Sequence, residues 1–308
     1  MCGLFGLLRS PHADHPERAS DALVALGALA EERGTDSAGL ALFTGRPVAH
    51  GAEGPAAGTA DDRRSDISHD GVRVVKGRGA FGGVWGTGLL PLLDAAPLAF
   101  GHTRWATQGS PFSLDNASPL VVPGPHGAPG IVATHNGDVE AGLLRARYSL
   151  PPATGTTDSE PLFQILARAR GTAEITGVLR GLVGRAALAW ADRSRPGEVH
   201  LARAALSPLA VAADTDRNLY WASNPDWFRR VQDATAVRFA TVVMLREGTY
   251  LRLTPGDVPA RAGFVPTARD WDLDDRVWTG FTPADRDADR ARLRHLVVGN
   301  ATAGPRVA

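Results

Sequence analysis

The order of strands and helices along this chain constrains its fold more than any other feature of the sequence. Apolar runs and turn residues predict strands in the first half, helices in the middle and further short strands after residue 186. The predicted strands are 3–8, 39–43, 72–75, 98–105, 131–135, 186–190, 198–202, 209–213, 219–222 and 242–253. The predicted helices are 19–33, 80–93, 158–169 and 175–182. Because strands and helices do not alternate one by one, the pattern favours antiparallel sheets with helices outside them, an α+β fold.

The sequences of four other segments predict their local structure more specifically. Residues 244–252 contain a Glu-Gly turn between two apolar runs, which is typical of a β-hairpin. Residues 44–71 are rich in Gly, Ala, Asp and Arg without periodicity, and they predict a surface loop. Residues 254–280 read as extended surface chain, and residues 282–298 as a helix with a thin apolar stripe.

Charge and cysteine content exclude several classes of partner. Lysine plus arginine equals aspartate plus glutamate at 33 each, which argues against a nucleic acid or an anionic membrane surface as the main partner. One cysteine rules out an intramolecular disulfide framework, and with scattered histidines it offers no metal-ligand spacing, so we expect no metal and no cofactor. Because neither a signal peptide nor a run long enough to span a bilayer is visible, we expect a cytoplasmic protein. The oligomeric state stays open.

The single cysteine, Cys2, directly follows Met1. Methionine is removed when the second residue is small, and the chain would then begin with a thiol and a free α-amine on one residue. An N-terminal amine can accept the proton of its own side chain, so the pair forms a nucleophile with its base. The reference pKa of an α-amine, roughly 7.7–8.0, leaves a neutral fraction available at cellular pH. The alternative is a buried cysteine that acts as a small hydrophobic residue.

Five short phrases occur in a fixed order along the chain. They are Met-Cys-Gly-Leu-Phe-Gly at 1–6, Arg-Gly-Thr-Asp-Ser-Ala-Gly at 33–39, Gly-His-Thr-Arg-Trp-Ala-Thr-Gln-Gly at 101–109, His-Asn-Gly-Asp at 135–138 and Thr-Thr-Asp-Ser-Glu at 156–160. Together they resemble the glutaminase domain of class II glutamine amidotransferases, which belong to the N-terminal-nucleophile hydrolases. The likeness is greatest to the glutaminase half of glucosamine-6-phosphate synthase. It implies a four-layer αββα sandwich, two antiparallel sheets between helical layers.

Amide hydrolysis requires a nucleophile and donors that stabilise the tetrahedral oxyanion. The resemblance implies that Cys2 is the nucleophile, that the Asn136 side-chain amide is one oxyanion donor, and that the Gly137 backbone N–H is the other. Without the family motif, Asn-Gly between apolar runs would indicate a tight hairpin turn.

Glutamine carries a carboxylate and an ammonium group, so a selective pocket should present an arginine and an acid. The resemblance implies that Arg104 binds the carboxylate through two parallel hydrogen bonds and that Asp158 binds the ammonium. Trp105, Thr107 and Gln108 would belong to the loop that closes over the substrate. The alternatives are a surface ion pair for Arg104 and a helix N-cap for Asp158, which is compatible with binding.

Other motif residues are expected to support the site rather than to react. Arg33 and Asp36, with Ser37, would brace the nucleophile, and His102 and His135 are interpreted as mainly structural. Three positions depart from the family pattern, namely Thr35 in place of Tyr, Gln108 in place of His and Ser118 in place of His. We expect none of them to touch the nucleophile, the oxyanion donors or the substrate-binding pair.

We predict a glutaminase domain over residues 2–253, followed by an extended segment and a terminal helix over residues 254–308. Fifty-five residues are too few for the synthase domain that full-length relatives attach. The main hypothesis is a subunit that hydrolyses L-glutamine to glutamate and ammonia through a Cys2 thioester and passes the ammonia to a separate synthase subunit. A free-standing γ-glutamyl amidohydrolase and a catalytically silent regulatory module are the alternatives.

Overall fold

A computed structural model of the protein describes residues 2–45 and 63–266. The strands are β1 (Gly3–Leu8), β2 (Ser37–Phe43), β3 (Arg64–His69), β4 (Val72–Arg78), β5 (Leu98–Arg104), β6 (Leu120–Val122), β7 (Ile131–Val139), β8 (Gly184–Asp192), β9 (Val199–Arg203), β10 (Ala210–Asp214), β11 (Leu219–Ala222), β12 (Phe239–Met244), β13 (Thr249–Leu253) and β14 (Ala260–Gly263). The α-helices are α1 (Pro16–Ala30), α2 (Leu90–Ala95), α3 (Ala141–Arg147), α4 (Ser159–Leu166), α5 (Gly171–Arg180) and α6 (Asp226–Ala234). The predicted helix at 282–298 lies outside the described residues.

The strands form two antiparallel sheets. The larger sheet has the order β12-β10-β11-β1-β5-β2-β4-β3, and the smaller has the order β14-β13-β9-β8-β7-β6. Strand β1 lies near the middle of the larger sheet, paired with β5 on one side and β11 on the other. The N-terminal strand is thereby held firmly by neighbours that are distant in sequence.

Three apolar clusters separate four layers. One cluster packs α1, α2 and α6 onto the larger sheet, and a second packs α4 and α5 onto the smaller sheet. The third, which includes Leu4, Phe100, Val132 and Trp221, fills the space between the two sheets. The arrangement is the predicted four-layer αββα sandwich, so the fold class inferred from the sequence is confirmed. Among the described residues, no helix is both long enough and apolar enough to cross a membrane.

Side-chain alternation along β1 sets the direction in which the cysteine faces. Phe5 and Leu7 pack toward the helices, whereas Leu4 and Leu8 pack into the layer between the sheets. Because successive side chains of a strand point to opposite faces, Cys2 shares the face of Leu4. It therefore lies at the end of the layer between the sheets.

The predicted hairpin at 244–252 is wrong. Strand β12 pairs with β10 in the larger sheet, whereas β13 pairs with β9 and β14 in the smaller one. The Glu-Gly turn is real, but it carries the chain from one sheet to the other. Local patterning predicts the turn and the two strands. It does not show which strands, distant in sequence, they pair with.

Other differences follow from weak local signals. The predicted helix at 80–93 forms only as α2 after two 3-10 turns, because glycines at 82, 83, 86 and 88 destabilise a continuous helix. Strand β3 falls inside the predicted loop at 44–71, since its largely polar, exposed sequence gives no apolar alternation. Elements β6, β14, α3 and α6 were not predicted; α6 is mostly polar and buries only Trp227, Phe228 and Val231.

Candidate active site

Cys2 is held at the start of β1 by two contacts. Its thiol Sγ donates a weak hydrogen bond to the carbonyl oxygen of Trp105 at 3.5 Å, and Nε of Arg33 donates to the carbonyl oxygen of Cys2 at 2.6 Å. Only 8% of the residue is exposed. The contacts join the cysteine to the end of β5 and to the turn that follows α1.

Burial raises the pKa of the Cys2 thiol, although the positive charges of Arg33 and Arg104 act in the opposite direction. The thiolate is the reactive form of cysteine, and the thiol predominates when its pKa is high. Nucleophilic attack from this position therefore requires a base that removes the proton during the reaction.

A small cavity of about 20 Å³, room for about one water molecule, adjoins the thiol. The predicted site residues on its wall are Cys2, Arg104, Trp105, Thr107, Gln108, Gly137 and Asp158. His102 and His135 also line it, together with residues that were not predicted, namely Asn116, Ser118, Thr157 and Ser159. Five separate segments of sequence thus meet at one point between the sheets.

Arg104 ends β5 on the same face as Phe100 and turns back onto the loop that follows. Its guanidinium donates to the carbonyl oxygens of Gln108 at 2.5 Å, Gly109 at 3.2 Å and Ser110 at 3.2 Å. The alternative of a surface ion pair does not apply, because the residue is 5% exposed and its described side-chain hydrogen bonds go to backbone carbonyls. The loop itself occupies the donors that a substrate carboxylate would use.

Asp158 lies at the N-cap position of α4, but its side chain does not cap that helix. Oδ2 accepts a hydrogen bond from the backbone N–H of Val139 at 2.7 Å instead. The carboxylate therefore ties α4 to the end of β7, and it remains on the wall of the cavity.

Asn136 and Gly137 lie inside β7, paired with Ala187 and Ala186, so they do not form the hairpin turn that the dipeptide alone would suggest. Gly137 has φ of 144°, and a Cβ there would lie 2.0 Å from the carbonyl oxygen of Arg185. Only glycine fits this approach of β7 to β8.

The Asn136 side chain points toward the larger sheet. Its Nδ2 lies 3.5 Å from Oγ of Ser223, which accepts a hydrogen bond from the backbone N–H of Leu4 at 2.8 Å. Ser223 thus links the amide to the strand that carries Cys2. Unlike Gly137, Asn136 is not on the described wall of the cavity.

Asp36 fixes the first residues of the loop after β5. Its Oδ2 accepts a hydrogen bond from the backbone N–H of Ala106 at 2.7 Å, and its own N–H donates to the carbonyl oxygen of Arg104 at 2.9 Å. Asp36 therefore acts on the cavity through the loop, whereas Arg33 contacts the cysteine backbone directly.

The two histidines form part of the wall through fixed hydrogen bonds. Nε2 of His102 lies 2.9 Å from the carbonyl oxygen of His135, and burial lowers the pKa of His102 to about 3. The His135 ring contacts Oγ of Ser159 at 2.8 Å and the carbonyl oxygen of Arg185 at 3.1 Å. Because its pKa of about 3 makes the neutral ring a very weak proton acceptor, His102 is unsuited to act as a general base.

The expectation that the departures from the family pattern do not touch the substrate-binding pair is wrong for Gln108, because its backbone carbonyl accepts a hydrogen bond from Arg104. Ser118 lines the same cavity as Cys2. Nearby, Asn116 donates to the carbonyl of Ser110 at 3.1 Å and accepts from the N–H of Thr156 at 2.7 Å. The Asn-Ala-Ser-Pro phrase, seven residues after the 101–109 motif, was the available signal for this segment.

Sequence comparison finds relatives in two enzyme groups. Rat amidophosphoribosyltransferase is 32% identical over 174 residues, which is 54% of this chain and 28% of the relative. A glutamine–fructose-6-phosphate aminotransferase (isomerizing) from Pyrobaculum aerophilum is 27% identical over 281 residues, 86% of this chain and 38% of the relative. Its counterpart from Agrobacterium fabrum is 31% identical over 219 residues, 68% of this chain and 30% of the relative. No family model matches the chain.

Two solved structures share the fold. The glutamine phosphoribosylpyrophosphate amidotransferase from B. subtilis, complexed with ADP and GMP, superposes with a TM-score of 0.58 at 20% identity, covering 85% of this chain and 49% of that one. A structure described as the allosteric regulatory enzyme of purine biosynthesis gives a TM-score of 0.60 with the same coverage.

Fold and relatives together define the class of protein. The sandwich is that of the N-terminal-nucleophile hydrolases. The relatives found by sequence are class II glutamine amidotransferases, the enzyme class that the motifs of this chain predict. The chain spans between 28% and 38% of the length of the curated relatives it matches.

Proposed function

We propose that this chain hydrolyses the side-chain amide of L-glutamine, giving glutamate and ammonia. The observation that carries the proposal is the meeting of Cys2, Gly137, Arg104 and Asp158 on one small cavity. These residues come from four distant segments, and they supply a thiol, a backbone donor, a cation and an anion. A free α-amino acid with a side-chain amide matches that set of groups.

The reaction begins at Cys2, exposed as the N-terminal residue by removal of Met1. Its α-amine takes the thiol proton as sulfur bonds to the amide carbon, because burial keeps the thiol protonated until then. The tetrahedral intermediate collapses when the carbon–nitrogen bond breaks, and the ammonium returns the proton to the leaving nitrogen. Ammonia departs, and a thioester remains on Cys2.

Water then attacks the thioester carbon while the same amine accepts a proton from that water. The carbon–sulfur bond breaks, the sulfur regains a proton, and glutamate is released. The oxyanion formed in both steps would be stabilised by the backbone N–H of Gly137 and by the Asn136 amide. Asn136 must shift from its contact with Ser223 to reach that position, since it is not on the cavity wall here.

Arg104 would bind the α-carboxylate and Asp158 the α-ammonium. Because carbonyls of the 105–110 loop accept hydrogen bonds from Arg104, binding of the carboxylate is coupled to movement of that loop. Trp105, Thr107 and Gln108 belong to that loop and would then cover the bound substrate. Trp105 is 59% exposed, which leaves its ring available to contact a substrate.

The relatives' names describe transfer of nitrogen to a second substrate. We propose that this chain likewise supplies ammonia to a synthase, as a separate subunit. The domain limits 2–253 and 254–308 stay predictions, and β14 extends the smaller sheet beyond residue 253.

Product analysis tests the glutaminase activity. Purified protein incubated with L-glutamine should release glutamate and ammonia in equal amounts, and Cys2→Ala should release neither while keeping the same circular dichroism spectrum. A protein that binds glutamine without releasing either product would contradict the proposal. Co-purification from the source cells, with tagged protein as bait, identifies the synthase.

A further inference from the structure

The chain contains a single lysine. Of its 33 lysine and arginine residues, only Lys76 is a lysine, and the rest are arginines. Arginine also fills buried positions of the described structure, among them Arg9, Arg104, Arg185 and Arg203. An arginine side chain stays charged in a protein, whereas a buried lysine can lose its proton. Lys76 therefore offers a chemistry that the arginines cannot supply.

The side chain of Lys76 faces the space between the two sheets. It lies on β4 in alternation with Val72 and Val74, which pack into the layer between the sheets. Strand β3 is the edge of the larger sheet, and β6 is an edge of the smaller one. A cavity of about 240 Å³ is lined by residues of β3, β4 and β6, and Lys76 is one of them. The lysine thus lies on the wall of a recess at the edge of the sandwich.

The amine of Lys76 has no hydrogen-bond partner within residues 2–45 and 63–266. The buried arginines differ, because each of them donates hydrogen bonds to a carbonyl or a carboxylate. Since Nζ of Lys76 is not among the fully enclosed unpaired atoms, it keeps accessible surface. Ser65, which lies opposite Lys76 on β3, and Thr154 line the same cavity, and their hydroxyls are also without partners in this part of the chain. One amine and two hydroxyls are therefore available to a ligand.

The charges on the wall favour an uncharged ligand. Burial lowers the pKa of Lys76 to about 8, although the carboxylates of Asp115 and Glu160 act in the opposite direction. At about pH 7.4 roughly a fifth of the amine is then neutral and nucleophilic, against about a thousandth for an ordinary lysine. Burial also lowers the pKa of His69 on the same wall, so this ring is neutral there. The two carboxylates would repel an anion, and the protonated fraction of Lys76 would repel a cation.

We propose that this cavity binds a small, uncharged hydroxyaldehyde and that Lys76 captures its carbonyl group as an imine. The amine nitrogen adds to the carbonyl carbon, and the carbonyl oxygen then leaves as water with the two hydrogens of the amine. Ser65 and Thr154 would bind the hydroxyl groups of the ligand. The cavity is slightly smaller than typical ligand pockets of about 300–1,000 Å³, which fits a molecule of a few carbon atoms.

The site is separate from the cavity beside Cys2. The 114–120 and 154–160 segments contribute to both cavities, but none of the described residues lines both. The inference therefore does not rest on the proposed function. L-Glutamine should neither compete with the aldehyde nor be needed for its capture.

Reductive trapping tests the inference. Purified protein is incubated with D-glyceraldehyde and cyanoborohydride, which reduces an imine to a stable amine, and peptide mass spectrometry follows the adduct at each site. Because Lys76 is the only lysine, Arg145→Lys supplies an ordinary lysine at an exposed position of α3 as an internal standard. At low aldehyde we expect trapping at Lys76 to be about ten-fold faster or more. It should saturate with aldehyde concentration, whereas trapping at the introduced lysine should rise linearly.

A second variant tests recognition of the ligand's hydroxyl groups. Ser65→Ala should raise the half-saturating concentration of glyceraldehyde several-fold and leave that of propanal, which has no hydroxyl, unchanged. Ser68→Ala is the matched control, because Ser68 is exposed and points to the opposite face of β3. Equal effects of Ser65→Ala on the two aldehydes, or no effect on either, would contradict the assignment of hydroxyl binding.

Three outcomes would overturn the inference. Trapping at Lys76 that is no faster than at the introduced lysine would show an ordinary amine, and trapping without saturation would show a reactive amine without a binding site. Protection of Lys76 by excess L-glutamine would place the lysine in the glutamine site instead. Glutaminase activity is assayed without aldehyde, so its absence would overturn the proposed function and leave this site untouched.

Discussion

The guanidinium of Arg104 donates a hydrogen bond to the backbone carbonyl of Gln108, 2.5 Å away. Two further carbonyls of the same loop, those of Gly109 and Ser110, accept from it at 3.2 Å. The residue proposed to bind the substrate carboxylate is thus satisfied by its own loop. A substrate carboxylate would compete with these carbonyls for the donors of the guanidinium, so its binding is coupled to the position of the loop.

Replacing Arg104 with lysine tests its proposed role in binding the substrate carboxylate. Arg104→Lys keeps the charge but loses the planar pair of donors, so we expect kcat/KM for glutamine to fall at least ten-fold, about 1.4 kcal/mol or more. Arg73→Lys is the control, because Arg73 pairs with Asp66 on the surface and away from the cavity. Steady-state kinetics that show equal values for Arg104→Lys and wild type would remove Arg104 from substrate binding.

We expect Asp36 to fix the conformation of the 105–110 loop and to contribute little to the stability of the fold. Its Oδ2 holds the backbone N–H of Ala106, and the residue is exposed. Asp36→Ala should lower kcat/KM several-fold, with a change in unfolding free energy of about 1 kcal/mol or less. Asp70→Ala, which removes a surface partner of Arg193, serves as the matched control and should leave the kinetics unchanged. Unfolding in urea with parallel kinetics separates the two effects.

Gly137 should tolerate no side chain. A Cβ would lie 2.0 Å from the carbonyl oxygen of Arg185, so Gly137→Ala has to push β7 away from β8 or distort the backbone. We expect loss of activity and destabilisation of about 2 kcal/mol or more. Gly177→Ala is the control, because the space around this exposed position in α5 is open, and it should stabilise the protein by up to about 1 kcal/mol. Thermal unfolding and glutaminase assays measure both variants.

The lowered pKa of His102 predicts how the unfolding free energy depends on pH. Its pKa is lowered to about 3 in the folded protein, while the unfolded value is roughly 6.5. Between these values the unfolded state binds more protons, so the unfolding free energy rises with pH, and stability is lost as pH falls below about 6.5. The slope from this one group is at most about 1.4 kcal/mol per pH unit.

Urea unfolding between pH 4.5 and 6.5 measures that slope. His102→Gln should flatten it, whereas His12→Gln, at an exposed position, should leave it unchanged. Identical slopes in wild type and His102→Gln would show that burial does not lower the pKa of His102 in the folded protein. Glu198, with a pKa lowered to about 2 mainly by its hydrogen bond to His200, adds to the slope only at the acid end.

Local patterning predicted antiparallel sheets with helices outside them, and the resemblance to class II glutaminases supplied the four-layer arrangement. Alternation in β1 places Leu4 and Phe5 on opposite faces, and helical spacing in α1 and α4 supplies the outer layers. Local patterning could not predict the strand partners: the turn before β13 looks like a hairpin, and its crossing to the other sheet depends on pairings between residues 25 to 54 positions apart in sequence.

The motifs located most of the cavity wall for a different reason. The phrases around Cys2, Arg104 and Asp158 resemble those of class II glutaminases, and that resemblance identified the wall without knowledge of the fold. Sequence could not show that Arg104 is engaged by its own loop, nor that Asn136 contacts Ser223, because both depend on side-chain directions set by packing.

The central claim is that Cys2, as the N-terminal residue, forms the covalent bond to the substrate. An electrophilic diazoketone that mimics glutamine should alkylate the purified protein once, with the added mass on the peptide that begins at Cys2 and lacks Met1. Excess L-glutamine should protect against labelling, and Cys2→Ser should not be labelled. Intact-mass and peptide mass spectrometry make the measurement. Active, fully labelled protein that still carries Met1, or a label on any other residue, would contradict the account.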